Sequence, residues 1–412
     1  TAQTRVFDVH GVEVDRAVIS DGSRRVRTDW VPKLAEFGWY RALIEVHTDN
    51  ELVGIRTLDF FWAPPPEDIE PSPIFGIAAD ATNAPIANAV GALANGARVG
   101  SVSLNVWGPN SKPTDFDLGG KIPTALNTLT HTNIEVSIGF HEVPIALANA
   151  LAVDSGSVLD VFASPMDRWN QWGGQLLDRY GQSITQWCFG SLPTEEPVSK
   201  LDAQLETVYD EFARFIPSPI VSVPWSDDRP IDPVVARRHR GLRLVDRGNT
   251  GAGSMPMLIN EWVNQSALGS GGSDQDPMLT LLLHPADHEG FVTDTWSAVG
   301  SLSRKALAFW WAAGKSGVGL DRFRLLLADA WTVTPGKRGQ VMPAPELHVW
   351  RTIASRLAGR HPIEELALLD GTRILLISPR AGEPQTEGAM IVWLEDPRLG
   401  NATSTSRSHR TT

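Results

Sequence analysis

Residues 256–262, Pro-Met-Leu-Ile-Asn-Glu-Trp, combine a carboxylate and an indole at the end of an apolar run. Met257 to Asn260 read as a short buried strand, and Pro256 starts it where a missing N–H costs little. Glu261 then stands where the strand runs out, with Trp262 next to it. A carboxylate so placed can stabilise an oxocarbenium-like centre, and an indole can stack on a sugar ring. This chemistry predicts a sugar site, provided that other strand ends bring further groups to the same place.

The elements that would position them follow from the pattern of the chain. Residues 1–62 read as β, with Arg41 to His47 and Leu52 to Trp62 forming a hairpin about Thr48-Asp49-Asn50-Glu51. A small antiparallel sandwich is expected there. Residues 63–73 carry five prolines and read as a stiff linker and domain boundary. From Ile74 short apolar runs alternate with helical stretches. The expected strands are 74–80, 99–107, 134–141, 184–190, 220–225, 242–246, 257–260 and 323–329. Eight strands with intervening helices in residues 74–345 fit a (β/α)8 TIM barrel, an α/β fold of about 250 residues. An open doubly wound sheet is disfavoured, because Ile77-Ala78-Ala79-Asp80 offers no Gly-rich phosphate cradle. Residues 346–400 read as a helix followed by β strands that either join the N-terminal sandwich or form their own sheet. Residues 401–412 are rich in Ser, Thr and Arg and read as a disordered tail.

In such a barrel the chemistry sits at the C-terminal ends of the strands. Those ends carry Asp80, then Asn105 and Trp107, then His141 and Glu142. Further on come Trp187 with Glu195 and Glu196 beyond it, Trp225 with Asp227 and Asp228, Glu261 with Trp262, and Asp329 with Trp331. Asp80, Asn105, Trp107, His141, Trp187, Trp225, Trp262 and Trp331 are the expected saccharide-binding residues. Glu261, Glu142 and Glu195 are the expected catalytic carboxylates.

The segment Ser183-Ile184-Thr185-Gln186-Trp187-Cys188-Phe189-Gly190 resembles the fourth strand of clan A glycoside hydrolases of the xylosidase and iduronidase type. Asp178-Arg179-Tyr180-Gly181 fits the helix before that strand. Pro345-Glu346-Leu347 with Trp350-Arg351 resembles the helix that ends such barrels before a β-sandwich. The resemblance implies a strand-four Glu as acid/base and a strand-seven nucleophile, to which Glu261 corresponds. At the acid/base position this chain has Leu192, preceded by Ser191 where the family has Asn. Leucine cannot protonate a leaving oxygen. Either Glu195 or Glu196 swings in from the same loop, or Glu142 takes over, or hydrolysis is lost and a glycan-binding or structural barrel remains.

Composition bounds the other possibilities. Of 412 residues, 42% are hydrophobic and 20% charged, as in a protein with a large core. A net charge of −12 argues against a nucleic-acid partner. No apolar run reaches the roughly 18 residues of a membrane span. The lone Cys188 lies in an apolar run, and fifteen tryptophans against three tyrosines favour a carbohydrate partner. His284, Asp287 and His288 surround Pro285, which disfavours the helix that would align two zinc ligands. No metal site and no cofactor are expected, and no Gly-x-Ser-x-Gly elbow supports a serine nucleophile. The start at Thr1 reads as a processed or trimmed product, the few sandwich strands as one portion of a longer polypeptide. The resemblance implies a secreted, periplasmic or cell-surface protein acting on an oligo- or polysaccharide.

Overall fold

The computed structural model describes residues 1–19, 30–49, 51–64, 69–193, 196–236, 240–246, 251–269, 277–284, 293–334, 339–368, 372–380 and 388–394. It divides into two compact units, Thr1–Arg356 and Leu357–Thr412. No described helix is long and apolar enough to cross a membrane.

The first unit opens with β1 (Ala2–Asp8), β2 (Glu13–Ile19), β3 (Gly38–Thr48) and β4 (Glu51–Trp62), a single antiparallel sheet in the order β2-β1-β3-β4. The expected hairpin is present: Thr48 pairs with Glu51, and Asp49 takes a left-handed φ of 52° at the turn. Aspartate tolerates that conformation better than most residues. The described residues of the proline-rich stretch, 63–64 and 69–73, lie against the barrel as part of the same unit. Arg98 Nη2 donates to Ile69 O, and Arg351 Nη2 donates to Pro64 O. A Cβ on Gly100 would stand 2.4 Å from the Ser72 carbonyl carbon.

Eight parallel strands then close a barrel: β5 (Phe75–Asp80), β6 (Ser101–Trp107), β7 (Glu135–Phe140), β8 (Gln186–Phe189), β9 (Ile220–Ser226), β10 (Arg240–Val245), β11 (Met278–Leu283) and β12 (Phe323–Leu327). The helical layer comprises α1 (Ala84–Ala97), α2 (Lys121–Thr130), α3 (Ile145–Leu151), α4 (Val158–Phe162), α5 (Gln175–Tyr180), α6 (Val198–Phe212), α7 (Met255–Gly269), α8 (Thr293–Lys315) and α9 (Pro345–Leu357). The amphipathic reading of α6 holds, with Leu201, Leu205, Val208 and Phe212 buried. A short hairpin, β13 (Trp331–Val333) and β14 (Val341–Pro343), follows the barrel. There Trp39 Nε1 of the first sheet donates to Pro343 O. In the second unit β15 (Pro362–Ala367), β16 (Thr372–Ile377) and β17 (Ala389–Leu394) form their own antiparallel sheet.

Seven of the eight expected barrel strands are in place, and the seventh is corrected. Met257–Asn260 lies within helix α7, and the seventh strand is Met278–Leu283. A three-residue apolar run fits either state, and the helix wins by periodicity. Met255, Leu258, Ile259, Trp262 and Ser266 are buried, whereas Met257 and Asn260 are exposed. Pro256 is tolerated because the first helical turn leaves its N–H groups unbonded anyway. Met278-Leu-Thr-Leu-Leu-Leu283 is the near-continuous apolar run that a parallel strand buried on both faces requires.

The space inside the barrel is tight at its lower end. A Cβ on Gly76 would stand 2.2 Å from Ser101 Oγ, 2.5 Å from Leu326 Cδ2 and 2.8 Å from Ser101 O. Overpacking of this kind costs about 1–3 kcal/mol. Gly76→Ala is expected to lower the urea midpoint accordingly, with an unchanged m-value. A midpoint equal to wild type would show that the barrel wall yields at this point.

Candidate functional site

The C-terminal ends of the strands form a mouth built from polar side chains. Inward-facing positions alternate along each strand, so one residue per strand end reaches the mouth. From β5 and β6 come Asp80 and Asn105, whose Nδ2 donates to Asp80 Oδ1 at 3.1 Å. Thr82 donates its N–H and hydroxyl to the same carboxylate. Asn105 Oδ1 accepts the backbone N–H groups of Trp107 and His141, at 3.3 and 3.2 Å. Asn105 is thus a fixed bridge between three strand ends. His284 follows β11, and its Nδ1 lies 3.3 Å from Asp329 Oδ2 beyond β12. Asp329 takes a left-handed φ of 47°, and its contact with His284 holds its carboxyl below the usual range. At the end of β10, Asp246 receives Lys305 Nζ of α8 at 2.7 and 2.9 Å in a buried ion pair. Beyond β9, Ser226 Oγ donates to Asp228 Oδ1.

His141 stands at the end of β7 with its ring folded over Gly139. A Cβ on Gly139 would come within 3.1 Å of His141 Nε2 and 3.9 Å of Arg243 Nη1. The missing side chain is what lets imidazole and guanidinium share that space. Burial, then the charge of Arg243, then His284 push the His141 pKa down to about 3. The imidazole is therefore neutral at ordinary pH and can donate or accept one hydrogen bond.

Several expected site residues lie elsewhere. Glu261 belongs to α7, and its Oε1 accepts the Ile231 N–H at 2.8 Å. It lines a shallow depression on that helix with Met257, Asn260 and Asn264. The end of the true seventh strand carries His284 instead. Glu142 follows His141 after β7, partly buried. Glu195, Asp287 and His288 lie outside the described residues. At the end of β8, Gly190 takes a φ of 106° and leads into Ser191 and Leu192, which is 70% exposed.

The tryptophans expected to line the cleft are buried, a second correction. Trp107, Trp187, Trp225 and Trp262 are at most 1% exposed and Trp331 is 6% exposed. Trp107 stacks on Phe162 at 4.8 Å, and Trp187 meets Phe212 edge-on at 5.3 Å. Trp225 carries the Arg229 guanidinium at 4.1 Å, and Trp262 packs edge-on against Phe323. Trp187 and Trp225 have the outward parity of their strands, a register shift after Asn105 pairs Trp107 with Phe140, Trp262 lies on α7, and Trp331 lies on the hairpin strand β13. The mouth residues that sequence reasoning passed over are Arg243, set inside an apolar strand, and His284, weighed only as a metal ligand. An arginine of the same parity as Gly241 in Arg-Gly-Leu-Arg-Leu-Val was the available signal.

No family model matches the chain, and no curated protein sequence matches it. Among solved structures, a family 39 glycoside hydrolase from the gut symbiont Bacteroides cellulosilyticus WH2 is similar, with a TM-score of 0.65 and 12% identity. That match covers 96% of this chain and 84% of the other. XacCel5A, solved in complex with cellopentaose, matches with a TM-score of 0.43 and 11% identity over 68% of this chain and 98% of its own. An FMN-binding beta-glucuronidase from Facaelibacterium prausnitzii L2-6 matches at 0.41 and 10%, over 95% and 69%. The first match shows that this chain shares the fold of that protein.

Two predictions test the site geometry. The folded state holds His141 neutral, with its pKa lowered from 6.5 to about 3. The unfolded chain protonates this residue below about 6.5. Between those values the unfolded state binds more protons, so stability falls as pH falls through the window. The slope from this residue is at most about 1.4 kcal/mol per pH unit. His141→Asn is expected to flatten the acid limb of stability in urea titrations between pH 4 and 7. Superimposable limbs would refute the buried neutral imidazole. Glu261→Gln is expected to cost about 1 kcal/mol of stability through the weakened bond to Ile231 and to leave ligand binding at the mouth unchanged.

Proposed function

We propose that the barrel mouth binds a saccharide without cleaving it by the two-carboxylate route. The observation that carries this reading is the pair of residues at the ends of β8 and β11. The resemblance in the fourth strand implies an acid/base glutamate at the first and a nucleophile at the second. Among the described residues the chain has Leu192 and His284 there. A retaining mechanism requires two carboxyl groups about 5 to 5.5 Å apart, one of them a proton donor. Neither leucine nor a histidine held by Asp329 supplies that chemistry. Asp80, Asn105, His141 and His284 do offer the donors and acceptors that sugar hydroxyls need, on rigid strand ends. The glycoside hydrolase type of barrel supports a carbohydrate as the ligand class. Such a role fits a secreted, periplasmic or cell-surface setting.

Affinity electrophoresis through gels containing a panel of polysaccharides tests binding, and release of nitrophenol from aryl glycosides tests cleavage. Retardation by at least one polysaccharide, with release no faster than buffer, is expected. Release that disappears in Glu142→Gln would overturn the reading and restore that carboxylate as catalytic. Absence of retardation by every polymer would remove the saccharide.

A further inference from the structure

Two arginines of the described residues enter the barrel interior, and only one is neutralised. Arg324 of β12 reaches across the lower end to Glu135 of β7, with Nη2 2.7 Å from Oε1 and 2.6 Å from Oε2. Its Nη1 also donates to the carbonyls of Asp321 and Phe323. Arg243 of β10 lies higher and is 4% exposed. Its Nη2 crosses the barrel to donate to Ser103 Oγ of β6 at 2.5 Å. Its Nε is buried with no hydrogen-bond partner among the described residues. No carboxylate among those residues pairs with it.

A guanidinium taken from water without a counter-charge is costly, so an arginine that is merely structural normally brings its acid with it, as Arg324 does. Four acids at the strand ends are otherwise engaged. Asp80 is held by Thr82 and Asn105, Asp329 by His284, Asp246 by Lys305 and Asp228 by Ser226. Ser103 uses a single N–H of five, and the planar fork that remains matches an oxyanion. The guanidinium sits one layer below His141, against the Gly139 backbone, where a group entering from the mouth would meet it.

We propose that Arg243 is the receptor for an oxyanion on the ligand of the mouth, a carboxylate, sulfate or phosphate group, flanked by His141. The inference rests on the saccharide reading and narrows it to acidic saccharides. Neutral His141 can donate to such a group without adding a second charge. A wholly neutral sugar would leave the buried guanidinium without a counter-charge.

The test compares inorganic sulfate, glucuronate and glucose by calorimetric titration of the full chain, its Arg243→Met variant and its Arg243→Lys variant. Wild type is expected to bind sulfate and glucuronate at least tenfold more tightly than glucose. Arg243→Met should lose that preference while unfolding at no lower temperature, because an uncompensated charge has been removed. Arg243→Lys keeps the charge without the fork and should weaken both anions severalfold, which serves as the readout if the methionine variant does not fold. Equal binding of glucuronate and glucose by wild type would overturn the oxyanion receptor and leave the saccharide reading standing. Sulfate binding lost in the variants, with neither sugar bound, would keep the receptor and sink the saccharide. Anion binding unchanged in both variants, or no binding of any probe, would overturn the proposal.

Discussion

Closing eight strands on themselves forces every second side chain into a cylinder with little room and little water. That constraint governs the rest of the molecule. At the lower end it is met by matched charge. Arg324 spans from β12 to Glu135 of β7, and Gln186 of β8 donates to the same carboxylate. Three strands distant in sequence are tied by one polar plug. Removing either charged partner would bury the other uncompensated, which makes the plug costly to break whatever its net contribution. Above it Ser103 accepts a hydrogen bond from the long Arg243 side chain, and Gly139 leaves room for the guanidinium beside His141.

The outward parity of the same strands carries the apolar mass. Trp107, Phe140, Trp187 and Phe189 on β6 to β8 meet Phe162, Trp169 and Phe212 of the helical layer in one continuous set of ring contacts. Each such ring contributes about 1.5–3 kcal/mol of burial. The indole N–H groups are absorbed locally, Trp107 into Trp172 O and Trp187 into Ile184 O. An abundance of tryptophan, read as a binding surface, is here a packing device. Composition does not reveal which face of a strand an indole takes, and parity does. Trp187 differs in parity from Gln186, which faces Glu135, and that comparison requires a known register.

The fold was largely legible because buried parallel strands are apolar runs of fixed length, and seven such runs stood at the right spacing. The seventh was misread for a physical reason. Met257-Leu-Ile is too short to reveal its period, and the carboxylate after it drew attention away from Met278–Leu283. The slip moved the expected nucleophile by one whole element, from a strand end to the face of α7. Asp80, Asn105 and His141 were legible because their strands were, and they do converge through Asn105. Arg243 was not legible, since an arginine in a strand usually reads as an edge or solvent residue. Only the closed barrel turns it inward.

The correction at the seventh strand also changes the meaning of Leu192. With Glu261 at a strand end, Leu192 was a single lesion in an otherwise hydrolytic site, and a neighbouring Glu142 or Glu195 could repair it. On the reading proposed above, with His284 in that place, neither position implied by the resemblance carries a carboxylate among the described residues. A single lost group invites compensation by a nearby acid. The loss of both removes the reason to keep the spacing between them, and relaxes the requirement for a desolvated proton donor. The mouth itself holds a buried guanidinium beside an imidazole that stays neutral. On the proposed reading the strand ends would serve recognition rather than bond cleavage, because a rigid platform holds hydrogen-bond geometry for either purpose.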